Sequence, residues 1–169
     1  NAATNIPLTI LLENLRKLQP RLYSVASSPT KNPSMVSFTI ETLRYKRDDR
    51  NMYGVASCWL ADTVTDKTII PMHLVKNNAF QFPTDETPVI MVGPGTGIAP
   101  FRAYLEENEV LKTHNKTWLF FGHQHGSTDF LYKDEILRWH SIGVLDKLSL
   151  AWSRDQQEKV YVQHKIVDN

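Results

Sequence analysis

Residues 88–102 read Pro-Val-Ile-Met-Val-Gly-Pro-Gly-Thr-Gly-Ile-Ala-Pro-Phe-Arg, and the rest of the chain is organised around this stretch. An apolar run, Val89 to Val92, precedes three glycines at alternate positions, and Ala99-Pro100 then opens a helical pattern. This order predicts a strand, a tight turn and a helix. Glycine lets a phosphate approach the backbone, and the N–H groups at a helix N-terminus favour an anion. The turn fits either phosphate binding or tight packing of a strand against a helix.

Alternating helical and strand patterns follow the glycine turn. Phe101 to Leu111 has helical spacing, and we expect Phe101, Tyr104, Leu105 and Leu111 to face inward. Strands that alternate with helices are typical of a parallel, doubly wound sheet. The patterns predict helices at 101–111, 130–139 and 160–167, and strands at 118–121 and 148–152.

The chain before residue 83 has a different period. Short β-type runs separated by Pro, Asn and charged residues are typical of a small antiparallel barrel. Gly54 to Ser57, at the head of a short helix, is a second candidate anion cradle. The patterns predict an amphipathic helix at 6–18, strands at 35–45, 68–71 and 73–82, a charged loop at 46–50 and a linker at 83–87.

Composition excludes several classes of function. A net charge of +1 over 169 residues provides no long-range field for nucleic acid, and no apolar run approaches the roughly 20 residues that span a membrane. The single cysteine, Cys58, excludes an internal disulfide and fits a reducing cytoplasm. Ser24 lacks the context of a hydrolase nucleophile. His123 and His125 have no third ligand nearby, so we expect them to line a loop and predict no metal site.

Basic and hydroxyl side chains follow the last predicted strand. Ser153, Arg154, Lys159 and Tyr161 occur within nine positions. Ligands of open α/β sheets bind beyond the carboxyl ends of the strands, and a 2′-phosphate calls for such side chains where NAD calls for an acidic one. A solvated charged loop is the alternative interpretation. Together with the upstream glycine turn, the cluster predicts an NADP site.

Four motifs occur in order along the chain, and their sequences are specific. They are Arg21-Leu22-Tyr23-Ser24, Gly54-Val55-Ala56-Ser57, the stretch from Gly93 to Arg102, and Ser153-Arg154-Asp155-Gln156 with Lys159-Val160-Tyr161-Val162-Gln163. Together they resemble the FAD/NADPH half of the diflavin reductases, which share the ferredoxin–NADP reductase fold. The sequences of residues 150–156 and 20–24 are most similar to the sulfite-reducing branch of that family.

The resemblance implies a fold and a division of the chain. It implies a partial FAD-binding antiparallel β-barrel followed by an α/β Rossmann-like NADP-binding domain, truncated at both ends. We expect the barrel part, with its N-terminal helix, at residues 1–86 and the NADP-binding part at residues 87–169. An FMN module would lie outside this chain.

The resemblance also assigns roles to residues. Arg21 would bind the flavin pyrophosphate, Tyr23 would stack on the flavin ring, and Ser24 would lie at the flavin atom that receives hydride, which makes Ser24 the predicted catalytic residue. Each role suits the side chain chemically. The other implied cofactor-binding residues are Thr39, Ile40, Gly54, Val55, Ala56 and Ser57 for FAD, and Gly95, Thr96, Gly97, Ser153, Arg154, Lys159, Tyr161 and Gln163 for NADPH.

The implied function is that of an NADPH-dependent flavin oxidoreductase. Hydride would pass from NADPH to FAD, and electrons would continue through FMN to a haem or iron–sulfur partner, most simply sulfite reductase. A cytochrome P450 reductase-type donor is the alternative within the family. A non-catalytic nucleotide-binding fragment and an NADP-binding enzyme without flavin are the alternatives outside it. We expect no nucleic-acid partner, no membrane attachment and a cytoplasmic location.

Overall fold

The computed structural model of the chain describes residues 6–113 and 115–169. We call residues 6–86 the N-terminal part and residues 87–169 the C-terminal part. In chain order the elements are α1 (Leu8–Asn14), β1 (Arg44–Arg47), β2 (Arg50–Tyr53), α2 (Val55–Asp62), β3 (Val89–Val92), a 3₁₀ turn (Gly95–Ile98), α3 (Ala99–Leu111), β4 (Thr117–His123), α4 (Lys133–Ser141), β5 (Lys147–Trp152) and α5 (Val162–Val167).

A three-stranded parallel sheet organises the C-terminal part. Its order is β3-β4-β5, with Val89 beside Thr117 and Trp118 beside Lys147. The connections run through α3 and α4, because parallel neighbours need a crossover. The prediction of alternating strands and helices is confirmed, and so is the combination of antiparallel and parallel sheets that the family resemblance implied.

The main hydrophobic core lies in the C-terminal part. It draws its side chains from β3, β4, α3, α4 and the loops beside them, and Phe121, Leu105 and Trp139 are at most 1% exposed. Leu111, predicted to face inward, is 55% exposed, so that prediction is wrong. The cluster comprises Met91, Ile98, Phe101, Tyr104, Leu105, Leu119, Phe121, Ile136, Trp139 and Leu145.

A β-hairpin replaces the longer strand and loop predicted in the N-terminal part. Strands β1 and β2 pair around Asp48 and Asp49, whose φ angles of 48° and 60° suit a two-residue hairpin turn. The predicted loop at 46–50 is therefore too long. Over the predicted strand 35–45, regular pairing begins only at Arg44, and upstream there is one antiparallel bridge, between Val25 and Phe38. β-type alternation becomes a strand only where a neighbour provides backbone partners.

Three further N-terminal predictions differ from the structure, two of them strands and one the length of a helix. The segments 68–71 and 73–82 form no strand; they run as turns and irregular backbone, because no described strand pairs with them. The helix predicted at 6–18 is confined to α1, whose residues are all exposed. A short helix is only marginally stable unless an apolar face packs against the rest of the protein, and no residue of α1 is buried. No helix in the described ranges combines the length and apolarity needed to cross a membrane.

Candidate functional site

A cleft lies at the carboxyl ends of the three parallel strands, and we call it the strand-end cleft. It has a volume of about 450 Å³. The glycine turn after β3, the loop after β4 and the loop after β5 with the start of α5 surround it. Ligands of open α/β sheets bind at this edge. Of the predicted nucleotide-binding residues, the cleft brings together Gly95, Ser153, Arg154, Lys159, Tyr161 and Gln163.

The glycine turn is shaped by close packing and by one left-handed residue. A Cβ on Gly93 would lie 2.7 Å from a ring carbon of Phe101, so only glycine allows α3 to pack this close to β3. Gly95 has a φ of 55°, an angle that residues with a side chain rarely adopt. Thr96 and Gly97 lie one step further, in the 3₁₀ turn and outside the cleft lining. The turn therefore presents backbone at Gly95 to the cleft.

Two cations face the strand-end cleft without a carboxylate partner. Arg154 and Lys159 line the cleft and are exposed. Within 6–113 and 115–169, neither side chain forms a salt bridge. Ser153 and Tyr161 add hydroxyl groups to the same lining. Unpaired cations beside hydroxyl groups favour a ligand with a phosphate group.

Carboxylates hold the loops around this cleft in place. Asp155 accepts a hydrogen bond from the Gly126 backbone N–H at 2.9 Å and contacts the His125 ring at 2.9 Å, and these interactions lower the pKa of Asp155. Asp129 accepts from the His125 backbone N–H at 2.8 Å, and that bond lowers the pKa of Asp129. The loop after β4 is thus bonded to the loop after β5. Arg154 is aligned further by its own N–H, which donates to the Gln124 carbonyl at 2.9 Å.

A second, larger cleft lies between the N-terminal part and α3, and we call it the apolar cleft. Its volume is about 1360 Å³. Pro100 and Ala103 of α3 contribute to one wall, and α2 and the segment 70–77 contribute to others. Of the residues predicted to hold a flavin, the cleft brings together Arg21, Tyr23, Ser24, Ile40, Val55 and Ala56.

The remaining three predicted flavin-binding residues lie outside the lining of the apolar cleft. The Thr39 hydroxyl shares a hydrogen bond of 2.7 Å with the Tyr132 hydroxyl. The Ser57 hydroxyl accepts from the Leu43 backbone N–H at 3.1 Å. Gly54 forms the N-cap of α2, and its N–H donates to the Leu43 carbonyl at 2.8 Å. These residues shape the backbone around the cleft.

Sequence reasoning missed part of the apolar cleft. Trp59 lines it and is 42% exposed, and His73 lies on the wall formed by 70–77. Trp59 stands three positions after Ala56, so helical periodicity could have placed both on one face of α2. The wall at 70–77 had no such pattern. Of His123 and His125, both predicted to line a loop, His123 lines the strand-end cleft, and His125 lies outside that lining with its ring 2.9 Å from Asp155.

Two family models match the chain, one on each side of the linker. The model described as "FAD binding domain" matches residues 2–59, and the model described as "Oxidoreductase NAD-binding domain" matches residues 91–169. The first range ends within α2 and contains all nine predicted flavin-binding residues. The second contains the complete lining of the strand-end cleft.

Known relatives are similar over nearly the whole chain. The sulfite reductase [NADPH] flavoprotein alpha-component of Bacillus subtilis (strain 168) is 47% identical over 156 residues, which cover 92% of this chain and 26% of that protein. The protein of the same description from Escherichia coli O6:K15:H31 (strain 536 / UPEC) is 47% identical, with the same two coverages. That of Citrobacter koseri is 48% identical over 153 residues, or 90% of this chain and 26% of the relative. The chain spans about a quarter of the length of these relatives.

Proposed function

The chain belongs to the FAD- and NAD-binding oxidoreductase family that its two matched domain models describe, and from this premise we propose that it carries the hydride-transfer site of an NADPH-dependent flavin reductase. The observation that carries the proposal is that one continuous segment, residues 94–103, contributes to both clefts. The glycine turn leading into α3 lines the strand-end cleft, and Pro100 and Ala103 of α3 line the apolar cleft. We propose the division into residues 1–86 and 87–169 accordingly.

The strand-end cleft fits NADPH better than NADH. Arg154 and Lys159 would bind the 2′-phosphate, with Ser153 and Tyr161 as hydroxyl partners, because these groups line one cleft and the two cations form no ion pair within the described chain. Gly95 allows the pyrophosphate to approach the backbone. Thr96, Gly97 and Gln163 complete the proposed set; Gln163 lies in the lining, and the other two continue the turn.

The apolar cleft fits FAD in size and in the chemistry of its lining. Tyr23 is half-buried and offers a flat ring for stacking on a flat ring. Arg21 is exposed and supplies a cation for the pyrophosphate, and Val55 and Ala56 at the start of α2 line the same cleft. We propose Ile40, Thr39, Gly54 and Ser57 as the supporting residues.

Ser24 is the proposed catalytic residue. Bound FAD supplies the ring system that accepts a hydride from NADPH. The Ser24 side chain is exposed in the lining of the apolar cleft, so its hydroxyl can donate a hydrogen bond at the reacting edge of the ring. Apolar side chains around bound FAD would reduce the access of water to the reacting atoms and so protect the hydride from loss to solvent.

The wider electron route is proposed from the relatives. Their description as alpha-components of an NADPH sulfite reductase supports onward transfer to a separate electron-accepting protein. We propose that this protein carries haem or iron–sulfur groups. We propose an FMN-containing module as the intermediate carrier between the FAD site and that partner.

The test is the visible spectrum of the natural full-length protein, reconstituted with FAD and desalted, before and after anaerobic addition of NADPH or NADH. We expect bound flavin that NADPH bleaches much faster than NADH does. A protein that binds 2′,5′-ADP and retains no flavin would instead be a nucleotide-binding module. Retained flavin that neither nucleotide bleaches would reject the proposed hydride transfer.

A further inference from the structure

Arg102, on α3, contacts both parts of the chain. Its guanidinium donates to Glu135 through Nε at 2.7 Å and Nη2 at 2.8 Å, a two-pronged pair with α4. Nη1 donates to the Ala26 carbonyl at 2.5 Å, across to the N-terminal part. The Arg102 side chain is only 12% exposed. The fork shape of arginine satisfies both directions at once, which lysine cannot do.

The surrounding groups support the same contact between the two parts. Glu106, one turn further along α3, accepts from the Ser28 backbone N–H at 2.7 Å and pairs with Lys31 at 3.1 Å. The Arg102 guanidinium lies over the ring of Tyr132, with its carbon 4.7 Å from the ring centre. The Tyr132 hydroxyl forms a hydrogen bond with the Thr39 hydroxyl. The segment from residue 26 to residue 31 is thereby held on α3.

The segment held in this way directly follows the proposed catalytic residue. Ala26 is fully buried and stands two positions after Ser24. The other wall of the apolar cleft includes Pro100 and Ala103, which flank Arg102 on α3. A shift of Ala26 along α3 would therefore move Ser24 relative to the glycine turn that serves the strand-end cleft.

We propose that Arg102 is a positioning residue for hydride transfer, which sets the register between the segment bearing Ser24 and the helix that follows the nucleotide-binding turn. Arg102 also pairs with the buried Glu106 at 3.5 Å. A buried ion pair adds little net stability because desolvation offsets its Coulomb energy, and registration is the better-attested use of such a pair. The inference rests on the proposed function. It adds a residue that is itself outside the lining of both clefts.

The test compares Arg102→Ala, Arg102→Lys and Glu135→Gln in the natural full-length protein loaded with FAD. The rate of flavin bleaching at saturating NADPH should fall roughly 10- to 100-fold in Arg102→Ala, since a misplacement of about 1 Å costs on the order of 100-fold. Arg102→Lys should recover part of this rate. The dissociation constant for 2′,5′-ADP and the FAD content should stay within twofold of wild type, which separates misplacement from loss of a binding site.

The matched control is Arg138→Ala. Arg138 pairs with Glu109 between α4 and α3, an ion pair confined to the C-terminal part, and we expect an unchanged bleaching rate. Wild-type rates in Arg102→Lys and Glu135→Gln together would overturn the proposal, as would equal slowing in the control or a parallel loss of 2′,5′-ADP affinity. If Arg102→Ala does not fold, the other two variants decide by the same criteria. A wild-type protein that NADPH does not bleach contradicts the proposed function itself.

Discussion

Removing the two free cations of the strand-end cleft should convert a selective nucleotide site into an unselective one. The change is the double variant Arg154→Ala with Lys159→Ala. Both side chains line the cleft, both are exposed, and no carboxylate in the described chain pairs with either of them. Their loss therefore breaks no ion pair of the protein and leaves the fold intact. What is lost is binding energy for a 2′-phosphate.

The magnitude follows from the exposure of the two cations. Unit charges about 4 Å apart interact by about 4 kcal/mol at an effective dielectric constant of about 20, and solvent screening at an exposed cleft reduces this. A charge-assisted hydrogen bond contributes about 1.5–3 kcal/mol in protected sites and an exposed ion pair about 0.2–1 kcal/mol. We take about 1–1.5 kcal/mol for each cation. The double variant should then bind NADPH about 30- to 150-fold more weakly.

The assay is a titration of the full-length protein with 2′,5′-ADP, NADPH and NADH at low and high salt. Affinity for the first two should fall by the stated factor, and affinity for NADH should change less than threefold. Salt should weaken NADPH binding in wild type and have little effect in the variant. Lys112→Ala is the control, because Lys112 follows the far end of α3, about 20 Å from the glycine turn. Equal loss for NADPH and NADH would refute the assignment of these cations to the 2′-phosphate.

Three further predictions concern stability and loop order. Gly93→Ala should lower the free energy of unfolding by about 1–3 kcal/mol, because the added Cβ would lie 2.7 Å from a ring carbon of Phe101. Gly97→Ala should leave the melting temperature nearly unchanged, because the atom nearest to its added Cβ is 3.8 Å away. Leu105→Ala should cost about 3 kcal/mol in urea unfolding, since Leu105 is fully buried, and the exposed Leu111→Ala should cost under about 0.5 kcal/mol; equal costs would contradict the core described above. Because the folded state lowers the pKa of Asp155, its stabilising contribution is complete above its unfolded pKa of about 3.9 and disappears as pH falls through the lower folded pKa. Below about pH 4, the free energy of unfolding should therefore depend less on pH in Asp155→Asn than in wild type, as urea titrations at several pH values would measure.

The C-terminal part was predictable because its elements are determined locally. The apolar runs that became β3, β4 and β5 are bounded by turn residues, and the helical spacing of α3 was recognised with its inward Phe101, Tyr104 and Leu105. Boundaries were less certain. The helix predicted from residue 130 begins only at Lys133, because Tyr132 has a left-handed φ of 56°.

The N-terminal part was predicted less well because its strands depend on partners. Alternation over 35–45 resembled a strand, but within the described chain only Phe38 and the residues from Arg44 onward found a pairing neighbour. The prediction that Leu111 faces inward was wrong for a related reason. Its spacing fits the apolar face of α3, but the core ends before this residue.

The sequence by itself determined the parallel α/β half, the tight turn at Gly93 to Gly97, and which side chains could bind phosphate, because local spacing and side-chain chemistry carry that information. Only the tertiary structure decided that Arg154 and Lys159 share a cleft with Gly95, that Trp59 and the segment 70–77 wall the apolar cleft, and that Arg102 joins α3 to Ala26. Those contacts join residues up to 76 positions apart, and their geometry depends on how the elements pack.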